Sequence, residues 1–209
     1  MGPSDNLCTL GLELPGAPVT FLGVMTLNRA FLKSIVTAFL VLLYSVAPLH
    51  AQQSQESLLE ELRAAPESQA DRLDRELNIL WDRSGSPAMD LLLTRGRKAM
   101  EAKENAKAID HLTALTDHAP EFAEGWHARA TAYYQAGLYG PALADLERAL
   151  ALNPNNYNAI FGLGVMLQEF GDLERAGDAF EHVLALHPHH ESAKGAMEQL
   201  KQNGIGRRL

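Results

Sequence analysis

The sequence predicts an all-α fold, an α-α superhelix of three stacked helical hairpins with an N-terminal helical cap and a C-terminal capping helix. The first observation is that Pro120, Pro154 and Pro188 are spaced by 34 residues. Five further sets of residues share that spacing: Ala108, Ala142 and Ala176; Leu92, Trp126 and Ile160; Gly96, Ala130 and Gly164; Leu112, Leu146 and Phe180; and Leu115, Ala149 and Val183. Such register through three units indicates a repeated structural element.

The residue types in these columns predict that each unit is a pair of antiparallel helices. Two columns contain only Gly or Ala, which lets the two helices of a hairpin approach closely. The other columns are mainly large apolar residues, which fill the space between successive hairpins. Each proline lies where a second helix must end, because proline lacks an amide proton and its ring clashes with the preceding turn.

Local signals set the expected helix boundaries. Gly137 and Gly171 are suited to end helices, and Asn156 and Asp172 are suited to cap the helices that follow them. The predicted array helices span about 88–102 and 105–118, 122–136 and 140–152, and 156–170 and 173–186. Residues 190–203 carry apolar residues at helical spacing and are predicted to cover the last hairpin.

The region before the array, residues 54–84, contains two leucine-rich stripes at helical spacing with Pro66 between them. We expect a degenerate hairpin that caps the first repeat, followed by a hinge at 84–87. Trp81 lies on the second stripe, and a tryptophan in that position is typical of a core residue. The alternative interpretation is a separate docking helix that uses Trp81.

The second unit carries the clearest motif, Trp126, Ala130, Tyr133, Ala142, Leu146, Ala149 and Pro154. This pattern resembles the tetratricopeptide repeat (TPR), of the kind found in exported bacterial proteins. The resemblance covers an array at 88–190, divided into units 89–122, 123–156 and 157–190. The first unit is the weakest match, and Arg95 and Arg129 replace the leucine that is usual in the family. The resemblance implies a TPR solenoid.

The first 51 residues predict export. After an extension at 1–24, residues 25–51 have the layout of a secretory signal peptide, with Arg29 and Lys33 before an apolar stretch and Ala51 at the expected cleavage site. The apolar stretch is shorter than the roughly 20 residues that a spanning helix needs. We therefore expect a periplasmic protein, and the alternative is a membrane-anchored protein that faces the periplasm. In both cases the mature part comprises the cap and hinge at 52–87, the array, and a capping helix and tail at 191–209.

The composition and the absence of catalytic motifs exclude some classes of function from the prediction. The formal net charge is −8, from 18 Lys and Arg against 26 Asp and Glu, which disfavours nucleic acid as a partner. The single cysteine, Cys8, lies within the predicted extension. No nucleophile elbow, phosphate-binding loop or metalloprotease motif is present, so we expect no enzyme activity and no cofactor.

A histidine-rich run near the end of the third unit offers an alternative function. His187, His189 and His190 follow His182 closely, and imidazole is a good ligand for late transition metals. No paired cysteine or acidic motif accompanies them. A metal-binding or enzymatic accessory role therefore stands as the alternative to a scaffold.

The TPR resemblance implies a binding groove lined by the first helix of each unit. The positions that it assigns to the groove are Leu93, Arg97, Met100, Glu124, His127, Thr131, Tyr134, Gln135, Asn158, Phe161, Val165, Gln168 and Glu169. Met, Tyr and Phe beside amide side chains suit the capture of a protein or an extended peptide. The alternatives are that the C-terminal segment partly covers Phe161 and Val165, and that the chain self-associates.

Some TPR proteins bind the C-terminal carboxylate of a partner with Lys and Asn at fixed groove positions. In this sequence Leu93 and Arg97 stand at those positions. The resemblance therefore does not imply carboxylate recognition of that kind.

Overall fold

The computed structural model describes residues 55–202, within which the secondary structure is entirely α-helical. Residues 55–64 form α1. The remaining helices are α2 (Glu67–Trp81), α3 (Pro87–Glu101), α4 (Asn105–His118), α5 (Ala123–Gln135), α6 (Tyr139–Leu152), α7 (Tyr157–Glu169), α8 (Leu173–Leu186) and α9 (Glu191–Gln202). The predicted extension and signal peptide lie outside the described residues. Of the helices in this part of the chain, none has the length and apolar character needed to cross a membrane.

The predicted array is confirmed, and each of its helices ends within one residue of the expected position. The three hairpins are α3–α4, α5–α6 and α7–α8, and α4 packs on α5 as α6 packs on α7. The columns of Gly and Ala allow the two helices of each hairpin to approach closely, as predicted. A Cβ added at Gly96 would lie 2.5 Å from Leu112 Cγ, and one added at Gly164 would lie 2.6 Å from Phe180 Cε1. Any larger residue at these positions would force the paired helices apart.

The turn inside each hairpin uses a residue with a left-handed backbone at the same repeat position. Gly137 and Gly171 have φ of 74° and 80°, whereas the first hairpin places Lys103 there with φ of 60°. The surrounding hydrogen bonds are alike, since Leu138 N–H donates to Tyr133 O as Glu104 N–H donates to Ala99 O. The first hairpin therefore makes the same turn with a residue that disfavours it.

Both predicted N-caps are confirmed. The Asn156 side-chain oxygen accepts the backbone N–H groups of Asn158 and Ala159, both at 3.1 Å. Asp172 accepts the N–H of Arg175 at 3.3 Å. These bonds satisfy donors that the first turn of a helix leaves unpaired, and so they fix where α7 and α8 begin.

Helices α1 and α2 form the expected hairpin, but they do not cap the first repeat. Their apolar residues are buried against the third repeat and α9 in one cluster: Leu59, Leu62, Ala70, Leu73, Leu77 and Trp81 with Tyr157, Ile160, Val183, Leu186 and Ala193. The prediction that the hairpin covers the first repeat is therefore wrong. The prediction that Trp81 is a core residue is confirmed, since it is 6% exposed.

Polar contacts hold the N-terminal hairpin on the third repeat. The buried Tyr157 hydroxyl donates to Asp74 at 2.7 Å, and Asn158 donates to Asn78 at 2.8 Å. The Trp81 ring meets the Tyr157 ring edge to face, with centroids 4.9 Å apart. Burial, followed by the hydrogen bond to Asp74, raises the pKa of Tyr157, so its hydroxyl stays protonated and keeps donating.

Helix α9 also packs on the third repeat, and it covers this last hairpin as predicted. Leu200 is 2% exposed and packs with Leu167, Ala176 and Phe180, while Ala193 joins the cluster beneath the N-terminal hairpin. The third repeat is therefore enclosed by chain segments from both sides of the array.

Candidate binding face

The first helices of the three hairpins, α3, α5 and α7, share one face, which we call the groove face. The structure places most of the thirteen predicted groove residues in one of two environments. Towards α2 they are tied into ion pairs or buried, and towards α9 they line open cavities. The groove face is therefore divided into a closed part and an open part.

A buried carboxylate, Glu124, lies at the centre of the closed part. Arg97 donates to Glu124 at 2.7 Å and makes two further bonds of 2.7 Å to Asp82, which follows α2. His127 Nδ1 lies 3.1 Å from both carboxylate oxygens of Glu124, and Asn156 donates to one of them at 3.3 Å. The network links the end of α2 to the first helices of the first two repeats.

The opposite charges in this network shift the pKa values of Glu124 and His127 towards their charged forms. Burial acts to raise the pKa of Glu124, but His127 and Arg97 outweigh it and hold that pKa below its ordinary value. Burial likewise acts to lower the pKa of His127, and Glu124 outweighs it and raises that pKa. An ionised Glu124 thus faces a His127 that retains its proton more readily than a free histidine, so these side chains are satisfied inside the protein.

The first cavity of the open part has a volume of about 260 Å³ and lies between α5 and α7. Six of the predicted groove residues line it: His127, Thr131, Tyr134, Asn158, Phe161 and Val165. Its other lining residues, Ala130, Leu146, Gly162 and Met166, were not among the predicted set. The repeat register was the signal that could have found them, since Ala130 and Leu146 belong to its columns. The cavity is therefore lined mainly by apolar surface, with a few polar side chains.

A second cavity of about 520 Å³ continues from Phe161 and Val165 towards α9. Gln168 and Glu169 line it from α7, and Ser192, Gly195, Ala196 and Gln199 line it from α9. Both Phe161 and Val165 are half-buried. The C-terminal helix therefore flanks these two side chains and forms one wall of the cavity.

Three predicted groove residues lie outside both cavities and the ion network. Leu93 is 2% exposed and packs in the core of the first two hairpins, so its expected exposure on the groove face is wrong. Met100 is half-buried against the same core, and Gln135 is exposed at the end of α5. The expectation of exposure also fails at Glu124, which is 5% exposed because Arg97, His127 and Asn156 surround its carboxylate.

An aromatic row lies beside the open part. The Tyr134 hydroxyl donates to Glu169 at 2.6 Å, which joins the second and third repeats. Tyr139 lies between Tyr134 and Phe170, with ring centroids 5.8 Å and 5.5 Å away, respectively. Tyr139 and Phe170 are 40% and 54% exposed. The row extends the apolar surface from the first cavity to the outside.

The histidine-rich run is used for packing. His187 is buried against Tyr157, His189 lies 3.1 Å from the Ala65 carbonyl at the end of α1, and His190 accepts the N–H of Ala193 at the start of α9. Burial lowers the pKa of both His187 and His190. Within residues 55–202 no three His, Cys, Asp or Glu side chains are grouped to hold a metal ion.

Arg129, at a leucine column of the repeat, forms the best-buried ion pair of the array. It donates twice to Asp145, at 2.6 Å and 2.9 Å, and once to Thr116 of the preceding hairpin, at 2.7 Å. Its guanidinium also lies over the Trp126 ring at 4.8 Å. Arg129 therefore joins two repeats where the family pattern has leucine.

Comparison with known proteins agrees with this fold. Residues 133–200 match the tetratricopeptide repeat family model. A TPR repeat-containing protein of Rhizobium etli is 27% identical over 203 residues, which cover 88% of this chain and all of the relative. DnaJ homolog subfamily C member 3 of Mus musculus is 32% identical over 108 residues, so the chain matches 52% of its own length but only 21% of that protein.

Among solved structures, the first TPR domain of Spaghetti (RPAP3), bound to an HSP90 peptide, superposes with a TM-score of 0.54 at 27% identity. The match covers 56% of this chain and 94% of that domain. The 34-residue register and the stacked hairpins agree with these matches. The array formed by α3 to α8 has the fold of a tetratricopeptide-repeat solenoid.

Proposed function

We propose that this chain is a non-enzymatic scaffold that binds a protein segment or an extended peptide in the open part of its groove face. The main support for the proposal is the cavity of about 260 Å³, which is lined by apolar residues together with His127, Thr131, Tyr134 and Asn158. Recognition sites of this kind combine burial of apolar side chains with a few polar groups that orient the ligand. The aromatic row adds exposed area next to it.

The relative that was solved with a bound HSP90 peptide supports a peptide as the class of ligand. The mode of binding proposed here is different from capture of a terminal carboxylate. Leu93 is buried, and Arg97 is already paired with Asp82 and Glu124. We therefore assign affinity to apolar side chains of the partner that enter the cavity beside Phe161 and Val165.

A peptide selection with matched variants tests this proposal. Peptides selected on the immobilised chain are titrated against the parent protein, against Tyr134→Ala with Phe161→Ala, and against Ile79→Ala with Leu138→Ala. The second pair is the control, because Ile79 and Leu138 are exposed apolar residues that line neither cavity. We expect the first pair to weaken binding at least about tenfold, as loss of aromatic anchors does, and the control to leave it unchanged. Equal binding to all three proteins would remove the groove assignment.

We further propose that the scaffold works in the bacterial cell envelope. The support is the signal-like segment at 25–51 and the match to a bacterial relative over its whole length. Expression with a C-terminal tag, followed by fractionation and N-terminal sequencing, tests this. We expect periplasmic protein that begins at Gln52. Protein that retains residues 25–51 in the membrane fraction would favour the anchored alternative, and intact protein in the cytoplasm would contradict export.

A further inference from the structure

A basic cleft lies on the outer face of the first repeat, between α3 and α4 and separate from the groove cavities. Its volume is about 360 Å³, and it is lined by Arg95, Lys98, Ala99, Glu104, Lys107 and His111. Lys107 pairs with Glu104 at 3.0 Å. Arg95 and Lys98 are exposed and form no hydrogen bond or ion pair within residues 55–202. Two unneutralised cations thus lie together in a chain whose formal net charge is −8.

The second repeat shows what this position of the fold binds. Arg129 lies 34 residues after Arg95. It donates to the carboxylate of Asp145, which is on α6 of the same hairpin, and to the hydroxyl of Thr116, which is on α4 of the preceding hairpin. In the first repeat the position of Asp145 is taken by His111. Arg95 therefore occupies a carboxylate-binding position without its carboxylate.

The apolar part of this face is also incomplete. Leu91 is 49% exposed, whereas its counterparts one and two repeats later, Gly125 and Ala159, are buried under the preceding hairpin. Lys98 is exposed, whereas its counterparts Ala132 and Met166 are 0% and 2% exposed. The outer face of α3 thus has the form of an internal repeat interface, but this part of the molecule leaves it uncovered.

We propose that the outer face of the first repeat binds an acidic amphipathic helix of a partner protein. A helix is the occupant that fits, because α4 and α6 fill the equivalent positions against α5 and α7. Its carboxylates face Arg95 and Lys98, and its apolar side covers Leu91. The acidic character follows from charge complementarity, because Arg95 and Lys98 have no carboxylate partner within residues 55–202, whereas Arg129 is paired with Asp145 of its own hairpin.

The probe is a capped peptide of Ala, Leu and Glu with an amphipathic pattern and a length of about four helical turns. A peptide with Gln in place of Glu is its control. Both are titrated into the full chain, with amide chemical shifts to locate the site. We expect the Glu peptide to shift amides of α3 and α4 and to bind more weakly as salt rises, and we expect the Gln peptide to lose at least about tenfold in affinity.

Matched charge reversals test whether the cleft itself is responsible. Arg95→Glu with Lys98→Glu is compared with Arg63→Glu plus Arg75→Glu, which changes the net charge equally on exposed positions of α1 and α2. Thermal unfolding followed by circular dichroism establishes that both variants are folded. We expect the first pair to reduce affinity for the Glu peptide at least about tenfold and the second pair to change it by less than about twofold.

Three results would overturn this proposal. The first is no binding of the Glu peptide to the parent chain, and the second is equal weakening by both pairs of reversals, which would indicate only the general field of the protein. The third is dimerisation of the chain that is abolished by Arg95→Glu with Lys98→Glu, because the occupant would then be a second copy. None of these results bears on peptide binding at Tyr134 and Phe161.

Discussion

The first and third hairpins have the same repeat architecture but very different surroundings. The third is covered by the N-terminal hairpin, through Trp81 and Tyr157, and by α9, through Leu200. The first meets the N-terminal segment through polar groups, chiefly Asp82 with Arg97, and its outer face is open. The repeat pattern therefore determines how hairpins pair with one another, whereas residues outside the repeat columns determine which hairpins are covered.

The largest expected effect on stability distinguishes the apolar contact of the N-terminal hairpin with the third repeat from its polar contact with the first. Trp81→Ala removes a buried ring that packs on Tyr157, and we expect the free energy of unfolding to fall by about 3–5 kcal/mol in urea denaturation. Asp82→Asn weakens the link to the first hairpin, where both partners are more than a third exposed, and we expect a loss below about 1 kcal/mol. Similar losses of unfolding free energy in both variants would contradict the stronger attachment to the third hairpin.

The next prediction concerns the ion network between α2 and the first two repeats. Glu124 raises the pKa of His127 against the effect of burial, so His127 binds its proton more tightly in the folded chain than in the unfolded chain. Its charged contribution is therefore complete below the ordinary value of 6.5 and is lost as pH rises through the folded pKa. We expect His127→Gln to cost about 1–3 kcal/mol at mildly acidic pH and less at alkaline pH.

The measurement for His127 is the difference in unfolding free energy between parent and variant across pH. Asp82 and Arg97 face the same network and are present in both proteins. His187 and His190, whose pKa values are lowered by burial, also titrate in both, so their effects cancel in the difference. A difference that grows with rising pH would show that His127 is not held in its charged form.

A smaller gain in stability is expected from making the first hairpin more like the third. Lys103 has φ of 60°, where Gly171 has φ of 80°. Lys103→Gly should raise the free energy of unfolding by about 0.5–1 kcal/mol, because the backbone strain of a side chain there exceeds the added entropy of glycine in the unfolded chain. The reverse change, Gly171→Lys, should lower it by about 1–2 kcal/mol. A destabilising Lys103→Gly would contradict the strain argument.

The smallest expected effect on stability lies between the second and third repeats. The hydrogen bond to Glu169, with help from burial, raises the pKa of Tyr134 to about 12. Glu169→Gln should return that pKa towards 10 while changing the free energy of unfolding by less than about 0.5 kcal/mol, because both groups lie at the surface. Titration of an isotope-labelled Tyr134 ring by NMR measures the pKa. An unchanged value in the variant would show that Glu169 does not hold the hydroxyl.

Much of the fold could be predicted from the sequence, because the determinants of a repeat are local and recur. Proline and glycine positions, with the small-residue columns, placed every array helix to within one residue. The placement of α1 and α2 was wrong because residues 55–81 share no register with the repeats. Their contact with the third repeat depends on complementary shape and on polar pairs such as Asp74 with Tyr157, which are more than 80 residues apart in the chain.

Less of the candidate site could be predicted. The register identifies which residues lie on the groove face, but not what else covers that face, so it did not anticipate that Glu124 is buried beneath Arg97 and His127. It also missed the Arg129–Asp145 pair, although a cation at a leucine column and a carboxylate among the buried positions of α6 were visible signals. The histidine run suggested a metal because its packing role depends on contacts with Ala65 and Tyr157, which are distant in sequence.

The N-terminal hairpin and the third repeat should form one cooperative unit, with the first repeat outside it. Native-state hydrogen exchange tests this most directly, because it gives an opening free energy for each helix. We expect the amides of α2, α7 and α8 to open together at the highest free energy, and those of α3 and α4 to open at a lower one. Exchange of α2 at low free energy while α7 and α8 stay protected would contradict the claim.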